Sequence, residues 1–155
     1  MFGHTATLYE STPKRKAFTS LDADSIVVGQ QRITGPYSDA AEQVVLFVKC
    51  APEVSTTTLR VRPDLEAAIR EQIAQDLSRR HVPTFVFETE VVPYNANGKK
   101  LEIQVKAVLC GGEAALSKLK LTQDELMQIK WYEPFYRIEK VLEGLSREGG
   151  AKARL

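Results

Sequence analysis

The chain has 155 residues, of which 43% are hydrophobic and 26% charged, and these shares are ordinary for a globular protein. Its 21 basic and 20 acidic residues leave a net charge of +1, which argues against a strongly basic nucleic-acid-binding or membrane-surface protein. A chain of this length fits one domain and can bury about two-thirds of its unfolded surface.

Cysteine and histidine usage predicts no metal site. Cys50 and Cys110 form no zinc-like spacing with His4 and His81, and both cysteines lie in apolar runs. We therefore expect small buried thiols in a reducing compartment. The sequence has no apolar run of membrane-spanning length and no secretory-signal pattern at its start, so a cytoplasmic location is expected.

Three segments have the composition of β-strands. Residues 24–29 form a short apolar run that glycine ends, and Gln43–Cys50 is a nearly continuous β-branched and aromatic run. Such a run predicts a strand buried on both faces, close enough in sequence to pair antiparallel with the first. Residues 84–92 predict a third strand, with Glu88 and Glu90 alternating outward.

A helix is predicted to begin at Pro63, because proline suits the first helical turn. Its apolar positions recur every four residues and predict a stripe facing the sheet: Leu65, Ala68, Ile69, Ile73 and Leu77. Glu66 and Arg70 have the spacing of a helical ion pair. The cations at 79–81 are expected to close this helix before Pro83. The order strand, strand, helix, strand predicts an α+β domain, with a small mixed three-stranded sheet and helices packed on it.

The last third of the chain is predicted to be helical. Residues 101–103 predict a short extended piece leading into a helix that ends at two glycines, Gly111 and Gly112. Thr122 is placed to cap another helix, and Pro134 is expected to divide the apolar segment after it. The expected organisation is a poorly patterned segment at 1–23, a domain at 24–143 and a disordered tail at 144–155.

The turn after the third strand carries the candidate functional residue. Pro93 cannot donate to a β-ladder, and three residues that tolerate the backbone of a tight turn follow: Asn95, Asn97 and Gly98. Lys99 and Lys100 come next. Local sequence alone favours a surface turn followed by two solvated lysines. The alternative is a turn that delivers one ammonium group to an anionic site.

Several segments together resemble a known superfamily. Residues 92–102, VPYNANGKKLE, are similar to the proline–turn–glycine–lysine motif of the adenylate-forming synthetases, the acyl-CoA synthetase superfamily. With SRRHVP at 78–83, they resemble its acetoacetyl-CoA synthetase branch. The segments at 24–30 and 46–48 agree, and WYEPF at 131–135 agrees more loosely.

The resemblance implies a C-terminal cap domain that acts on a much larger N-terminal adenylation domain. In such enzymes the carboxylate of acetoacetate attacks the α-phosphate of ATP, bound with Mg²⁺, to give an acyl-adenylate and pyrophosphate. The thiol of coenzyme A then displaces AMP. The resemblance assigns the catalytic lysine to Lys99, with Asn97 and Gly98 as the supporting turn and Lys100 as a solvated neighbour, and it implies a cap that rotates between the two steps.

The chain also departs from the superfamily pattern, because it has no Ser/Thr/Gly-rich phosphate loop and no adenine or acyl pocket sequence. We therefore expect a fragment or a free-standing cap that is inactive alone and needs the large domain, in the same or a separate chain. One alternative is a non-catalytic α+β module that docks to a partner protein. A weaker one is a nucleotide or nucleic-acid binder that uses five arginines: Arg60, Arg62, Arg70, Arg79 and Arg80. The near-zero net charge disfavours it, and neither nucleic acid nor a membrane is an expected partner.

Overall fold

A computed structural model of the chain describes residues 22–153, with side chains from 24 to 147. The described chain divides into two compact units: the residues up to Gln30 with Glu42–Val92, and Gln31–Ala41 with the residues from Pro93 onward. Nearly all of the segment expected to be poorly patterned, 1–23, lies outside the described residues. Within the described part of the chain, no helix combines the length and the apolar character needed to cross a bilayer.

The first unit is built on a three-stranded sheet in the order β1-β2-β3. Strands β1 (Asp22–Gln30) and β2 (Gln43–Cys50) pair antiparallel, whereas β2 and β3 (Phe85–Glu88) pair parallel. A parallel pair needs a long crossover, which helix α1 (Pro63–Asp76) provides. The predicted mixed three-stranded sheet and α+β class are confirmed.

The central strand carries the core of this unit. Four consecutive residues of β2, Val45 to Val48, are fully buried, because both faces of the strand are covered. On one face, Leu46 and Val48 pack in a cluster with residues of the loop after β2, of α1 and of β3: Val54, Val61, Leu65, Ile69 and Val86. The rings of Phe47 and Phe87 stack at 5.9 Å between centroids. The prediction of a strand buried on both faces is confirmed.

Helix α1 buries a narrower stripe than its sequence predicts. Leu65 and Ile69 are in the core, but Ala68 is exposed and Leu77 is 50% exposed. Leu77 follows the last residue of the helix, so its side chain leaves the stripe. Gln72 is buried instead and donates to Asp76 at 2.6 Å.

The basic residues at 79–81 were predicted to close α1, but this prediction was wrong. They form a separate 3₁₀ helix, Arg79–His81. The side chain of Ser78 caps this turn, because its hydroxyl accepts from the backbone N–H of Arg80 at 3.2 Å. Glu66 and Arg70 do pair, at 3.1 Å. Arg70 also donates to the carbonyls of Pro83 and Thr84 and so ties α1 to the chain leading into β3.

The prediction that Glu88 points outward was wrong. It ends β3 and is only 7% exposed. Its carboxylate accepts from the hydroxyl of Ser55 and from the backbone N–H of Thr56, the latter at 3.0 Å. The alternation of residues along a strand does not show that a loop from elsewhere in the chain covers a carboxylate and supplies hydrogen-bond donors to it. Glu90, beyond the strand, is exposed as predicted.

The second unit contains the loop Gln31–Ala41 and the helices of the C-terminal third. Helix α2 (Glu102–Lys118) packs on a 3₁₀ helix at Glu133–Arg137, and α3 (Gln123–Lys130) and α4 (Ile138–Ala153) lie before and after that turn. The buried side chains come from all four elements: Val105, Val108, Leu109, Ile129, Tyr132, Phe135 and Ile138. The predicted interruption at Pro134 is confirmed.

Helix α2 differs from its prediction at both ends. It begins at Glu102, so the extended piece expected at 101–103 does not form. Gly112 interrupts the helical backbone with φ of +65° and ψ of −149°, but the chain resumes the helix to Lys118. The glycines therefore make a kink instead of an end. An added Cβ at Gly112 would lie 2.8 Å from the ring of Tyr136, which is why this position excludes a side chain.

Two further features concern the ends of α3 and α4. Thr122 and Glu125 form the predicted capping box, with hydrogen bonds of 3.0 and 3.1 Å in the two directions. Helix α4 runs on to Ala153, so the segment expected to be disordered from residue 144 is helical over most of its length. Glu143 and Arg147 form an ion pair one turn apart within it.

Candidate functional site

The turn that carries Lys99 is closed by backbone hydrogen bonds. The N–H of Asn95 donates to the carbonyl of Lys99 at 2.9 Å, and the N–H of Gly98 donates to the carbonyl of Asn95 at 3.0 Å. Tyr94 and Lys100 form an antiparallel bridge beneath it. Gly98 has φ of +80°, a conformation that costs an L-residue about 1–2 kcal/mol. The predicted tight turn is thus present, and Gly98 supplies its left-handed step.

The side chain of Asn95 holds the tip of the turn together. Its Oδ1 accepts from the backbone N–H of Asn97 at 2.8 Å and from the backbone N–H of Lys99 at 3.0 Å. Asn97 contributes its backbone to this network. The sequence prediction counted Asn95 among the turn residues but did not name it as a support of Lys99. The signal was available, because asparagine side chains bond the backbone N–H two residues on.

The base of the turn is attached to helix α3 through Gln128. The Oε1 atom of Gln128 accepts from the N–H of Tyr94 at 3.1 Å, and its Nε2 donates to the carbonyl of Tyr94 at 3.3 Å. Leu101 also donates to the carbonyl of Pro93 at 3.0 Å. Lys99 itself is exposed at the end of this hydrogen-bonded stem, whereas Lys100 is half-buried. The arrangement presents one ammonium group on an ordered support.

A buried ion cluster in the same unit escaped the sequence prediction. Arg32 is 2% exposed, and its guanidinium donates to Asp39 at 2.9 Å, to Glu139 at 2.8 Å and to the carbonyl of Tyr136 at 2.8 Å. It also lies 4.1 Å from the ring centre of Tyr37. Hydrogen bonds from Arg32 lower the pKa of both carboxyl groups. The cluster joins the loop Gln31–Ala41 to the start of α4. The sequence around Arg32 does not indicate these partners, because Tyr136 and Glu139 lie more than 100 residues away.

Comparison with known proteins identifies what this chain is related to. No family model matches the sequence. Over 96 residues it is 43% identical to the acetoacetyl-CoA synthetase of Rattus norvegicus, and over 96 residues it is 36% identical to malonamoyl-CoA synthetase vrtB of Penicillium aethiopicum. Each match covers 62% of this chain. The structure of the acetoacetyl-CoA synthetase from Streptomyces lividans aligns with 87% of the chain at 26% identity, with a TM-score of 0.60.

The chain is homologous to the C-terminal domain of acetoacetyl-CoA synthetases. It spans only 13% of the length of the rat protein and 18% of the Streptomyces chain. The resemblance stated from the sequence motifs is therefore confirmed, and so is the adenylate-forming-enzyme fold. The roles of individual residues are a separate matter, because a match of this extent covers a small part of a large enzyme.

The arginines of the nucleotide-binding alternative lie in the first unit of this synthetase-related chain and are partly engaged there. Arg62 pairs with Asp64 at 2.6 Å, and Arg70 is held by Glu66 and by two backbone carbonyls. Arg62 lies directly before α1 and Arg70 lies within it, so both arginines have structural partners at this helix. His81 likewise has a local partner, since its Nδ1 lies 2.8 Å from the hydroxyl of Ser78.

The cysteines and the metal-ligating side chains are the remaining polar candidates. The thiols of Cys50 and Cys110 are half-buried, less deeply than the sequence predicts. Among the residues that the structure describes, no group of three or more histidine, cysteine or acidic side chains could hold a metal ion.

Proposed function

We propose that the chain is the C-terminal cap domain of an acetoacetate–CoA ligase and supplies Lys99 for acyl-adenylate formation. The observation that carries the proposal is the turn that presents Lys99, which is exposed beyond a glycine at φ of +80° and held by Asn95. Homology to acetoacetyl-CoA synthetases supports the choice of reaction. Asn97 and Gly98 act as the supporting turn.

The chemistry of the first half-reaction calls for a cation at this place. A carboxylate oxygen of acetoacetate forms a bond to the α-phosphorus of ATP, and the bond from that phosphorus to pyrophosphate breaks. Negative charge gathers on the α-phosphate and the incoming carboxylate, and the Lys99 ammonium stabilises it. In the second half-reaction the sulfur of coenzyme A bonds to the acyl carbon and AMP leaves. No phosphorus bond forms there, so Lys99 contributes less.

The proposal requires partners and co-substrates beyond this chain. ATP with Mg²⁺, coenzyme A and acetoacetate would bind mainly on a large N-terminal adenylation domain, in the same or a separate chain. Rotation of the cap between half-reactions would withdraw Lys99 after adenylation. An enzyme of this kind would activate acetoacetate for lipid metabolism in the cytoplasm.

The test joins this chain to the large domain of the Streptomyces lividans synthetase and measures the two half-reactions separately. Lys99→Ala should lower ATP–pyrophosphate exchange with acetoacetate about 100-fold or more, since removing one preorganised stabilising group has an effect of that order. Thioester formation from supplied acetoacetyl-adenylate should be largely spared. Lys100→Ala is the matched control, because it removes the same charge from the next position of the turn.

Equal loss of both half-reactions in Lys99→Ala would contradict the role given to this lysine. Unchanged exchange in Lys99→Ala, with assembly onto the large domain intact, would favour the non-catalytic docking module instead.

A further inference from the structure

The clamp formed by Gln128 on the base of the Lys99 turn has no evident role in packing. Gln128 lies 34 residues beyond Tyr94, and its amide bonds both backbone groups of that residue, accepting from the N–H at 3.1 Å and donating to the carbonyl at 3.3 Å. A side-chain amide that bonds a residue in this way mimics a neighbouring β-strand. The side chain is only half-buried, so both groups of Tyr94 could otherwise be solvated.

The orientation of Gln128 is itself constrained. Its Nε2 also donates to Oδ2 of Asp124, one helical turn earlier, at 3.1 Å. Asp124 lies in the first turn of α3, whose start is set by the capping box of Thr122 and Glu125. Ile129, the next residue along, is fully buried. The clamp therefore stands on a helix that is fixed both at its start and by its apolar side.

The clamp also has a short connection to Lys99. Tyr94 bridges to Lys100 across the turn, and Asn95, the next residue, bonds the backbone N–H of Lys99 through its side chain. Gln128 thus holds the stem of the turn, and Asn95 holds its tip. Removing the clamp leaves the stem with its bridge and with the bond from Leu101 to Pro93.

We propose that Gln128 is a positioning residue for Lys99, which ties the lysine turn to helix α3 and fixes where the ammonium group stands. The catalytic consequence rests on the proposed function, whereas the ordering of the turn does not. Gln128 touches no substrate in this scheme and acts through Tyr94 and Asn95. Its loss should loosen the turn while leaving the fold in place.

The first experiment uses the 155-residue chain and measures amide hydrogen exchange by NMR. Gln128→Ala should raise the exchange rates of Tyr94 and Lys99 about fivefold or more, while the buried amides of β2 keep theirs. Met127→Ala is the matched control, because it truncates the preceding residue of the same helix, which is 68% exposed. Gln128→Glu should raise the exchange rates of Tyr94 and Lys99 as well, since its carboxylate cannot donate to the carbonyl of Tyr94 and is repelled by the carboxylate of Asp124.

The second experiment places the same variants in the chain joined to the large domain. Gln128→Ala should lower the kcat of adenylate formation about tenfold with little change in the KM for ATP, and thioester formation from supplied adenylate should be unchanged. Gln128→Glu should lower this kcat as well, and Met127→Ala should behave as the parent.

The outcomes separate the two proposals. If the amide hydrogens of Tyr94 and Lys99 exchange at equal rates in Gln128→Ala and Met127→Ala, the positioning role is overturned, whatever the role of Lys99. Faster amide hydrogen exchange in Gln128→Ala, together with no effect of Lys99→Ala on adenylate formation, would uphold the clamp and overturn the proposed function. If Gln128→Ala does not fold, Gln128→Glu decides, and parental exchange rates in that variant would overturn the inference.

Discussion

Arg32 lies in an environment that is unusual for an arginine, because it is only 2% exposed. Arginine is rarely buried unless it is paired, and here the guanidinium has two carboxylates, one carbonyl and one aromatic ring around it. The two carboxylates differ in exposure, because the Asp39 side chain is 20% exposed and that of Glu139 is 58% exposed. Asp39 is therefore the more buried of the two carboxylates that pair with this cation.

Replacing Arg32 by methionine should lower the free energy of unfolding by about 3 kcal/mol at neutral pH, because it leaves a desolvated carboxylate without its partner. Denaturant titration followed by tryptophan fluorescence measures this loss. Glu139→Gln serves as the comparison and should change stability by no more than about 1 kcal/mol, since that carboxylate is mostly solvated.

The same measurement should depend on pH in a defined direction. Hydrogen bonds from Arg32 lower the pKa of Asp39 from 3.8 and that of Glu139 from 4.5 in the folded chain. A lowered pKa contributes stability that is fully present above those ordinary values and is lost as the pH falls below them, through the folded values. The difference between the parent and Arg32→Met should therefore shrink below about pH 4.5. A difference that grows on acidification would contradict this account of the cluster.

At the scale of elements, local composition predicts what lies within one element and misses what other elements impose. Strand β2 has its predicted bounds, because a continuous apolar run has only the buried option. The predicted start of α2 was wrong, because the apolar residues at 101–105 fit the alternation of a strand and the spacing of a helix equally well. The hydrogen bonds of the turn, with Leu101 bonded to Pro93, point the chain directly into the helix.

The two glycines Gly112 and Gly144 provide an element-scale prediction. Gly112→Ala should destabilise the chain by about 3 kcal/mol, because it combines a positive φ with a Cβ placed 2.8 Å from the Tyr136 ring. Gly144→Ala is the matched control within a helix, where an added Cβ meets nothing within 4 Å. It should stabilise by about 0.5–1 kcal/mol. Thermal melts of the two variants, shifting in opposite directions, would bear this out, and equal shifts would contradict it.

At the scale of the whole molecule, the chain covers only a small fraction of the length of its relatives, and this fraction limits the activity expected of it. It spans 13% of the rat synthetase, and its own sequence has no phosphate loop or acyl pocket pattern. Under the proposed function, Lys99 is one contributor to a site whose other groups belong to the large domain. A single positioned ammonium stabilises charge but does not bind ATP or orient acetoacetate.

The purified chain alone should therefore catalyse no ATP–pyrophosphate exchange with acetoacetate above the rate without protein. The measurement follows radiolabelled pyrophosphate into ATP, with the chain joined to the large domain as the positive control. Appreciable exchange by the isolated chain, surviving in Lys99→Ala as well, would show that the chain carries an ATP site of its own.

The sequence by itself determined the features that depend on neighbours along the chain. These are the buried central strand, the capping box of α3, the turn around Gly98 with Lys99 beyond it, and the relationship to the synthetases. In each case the deciding hydrogen bonds or apolar contacts are encoded within a few residues, or in a motif that can be compared directly.

Only the tertiary structure decided the burial of Arg32 and Glu88, the kink at Gly112 and the clamp of Gln128 on Tyr94. Arg32 lies 107 residues from its partner Glu139, Glu88 lies 33 residues from Ser55, and Gln128 lies 34 residues from Tyr94. A polar side chain is buried or exposed according to whether the fold brings it a partner, because the cost of desolvation is met only by a hydrogen bond made at that place. Composition and periodicity carry no record of such long-range partners, and the support of the Lys99 turn is among them.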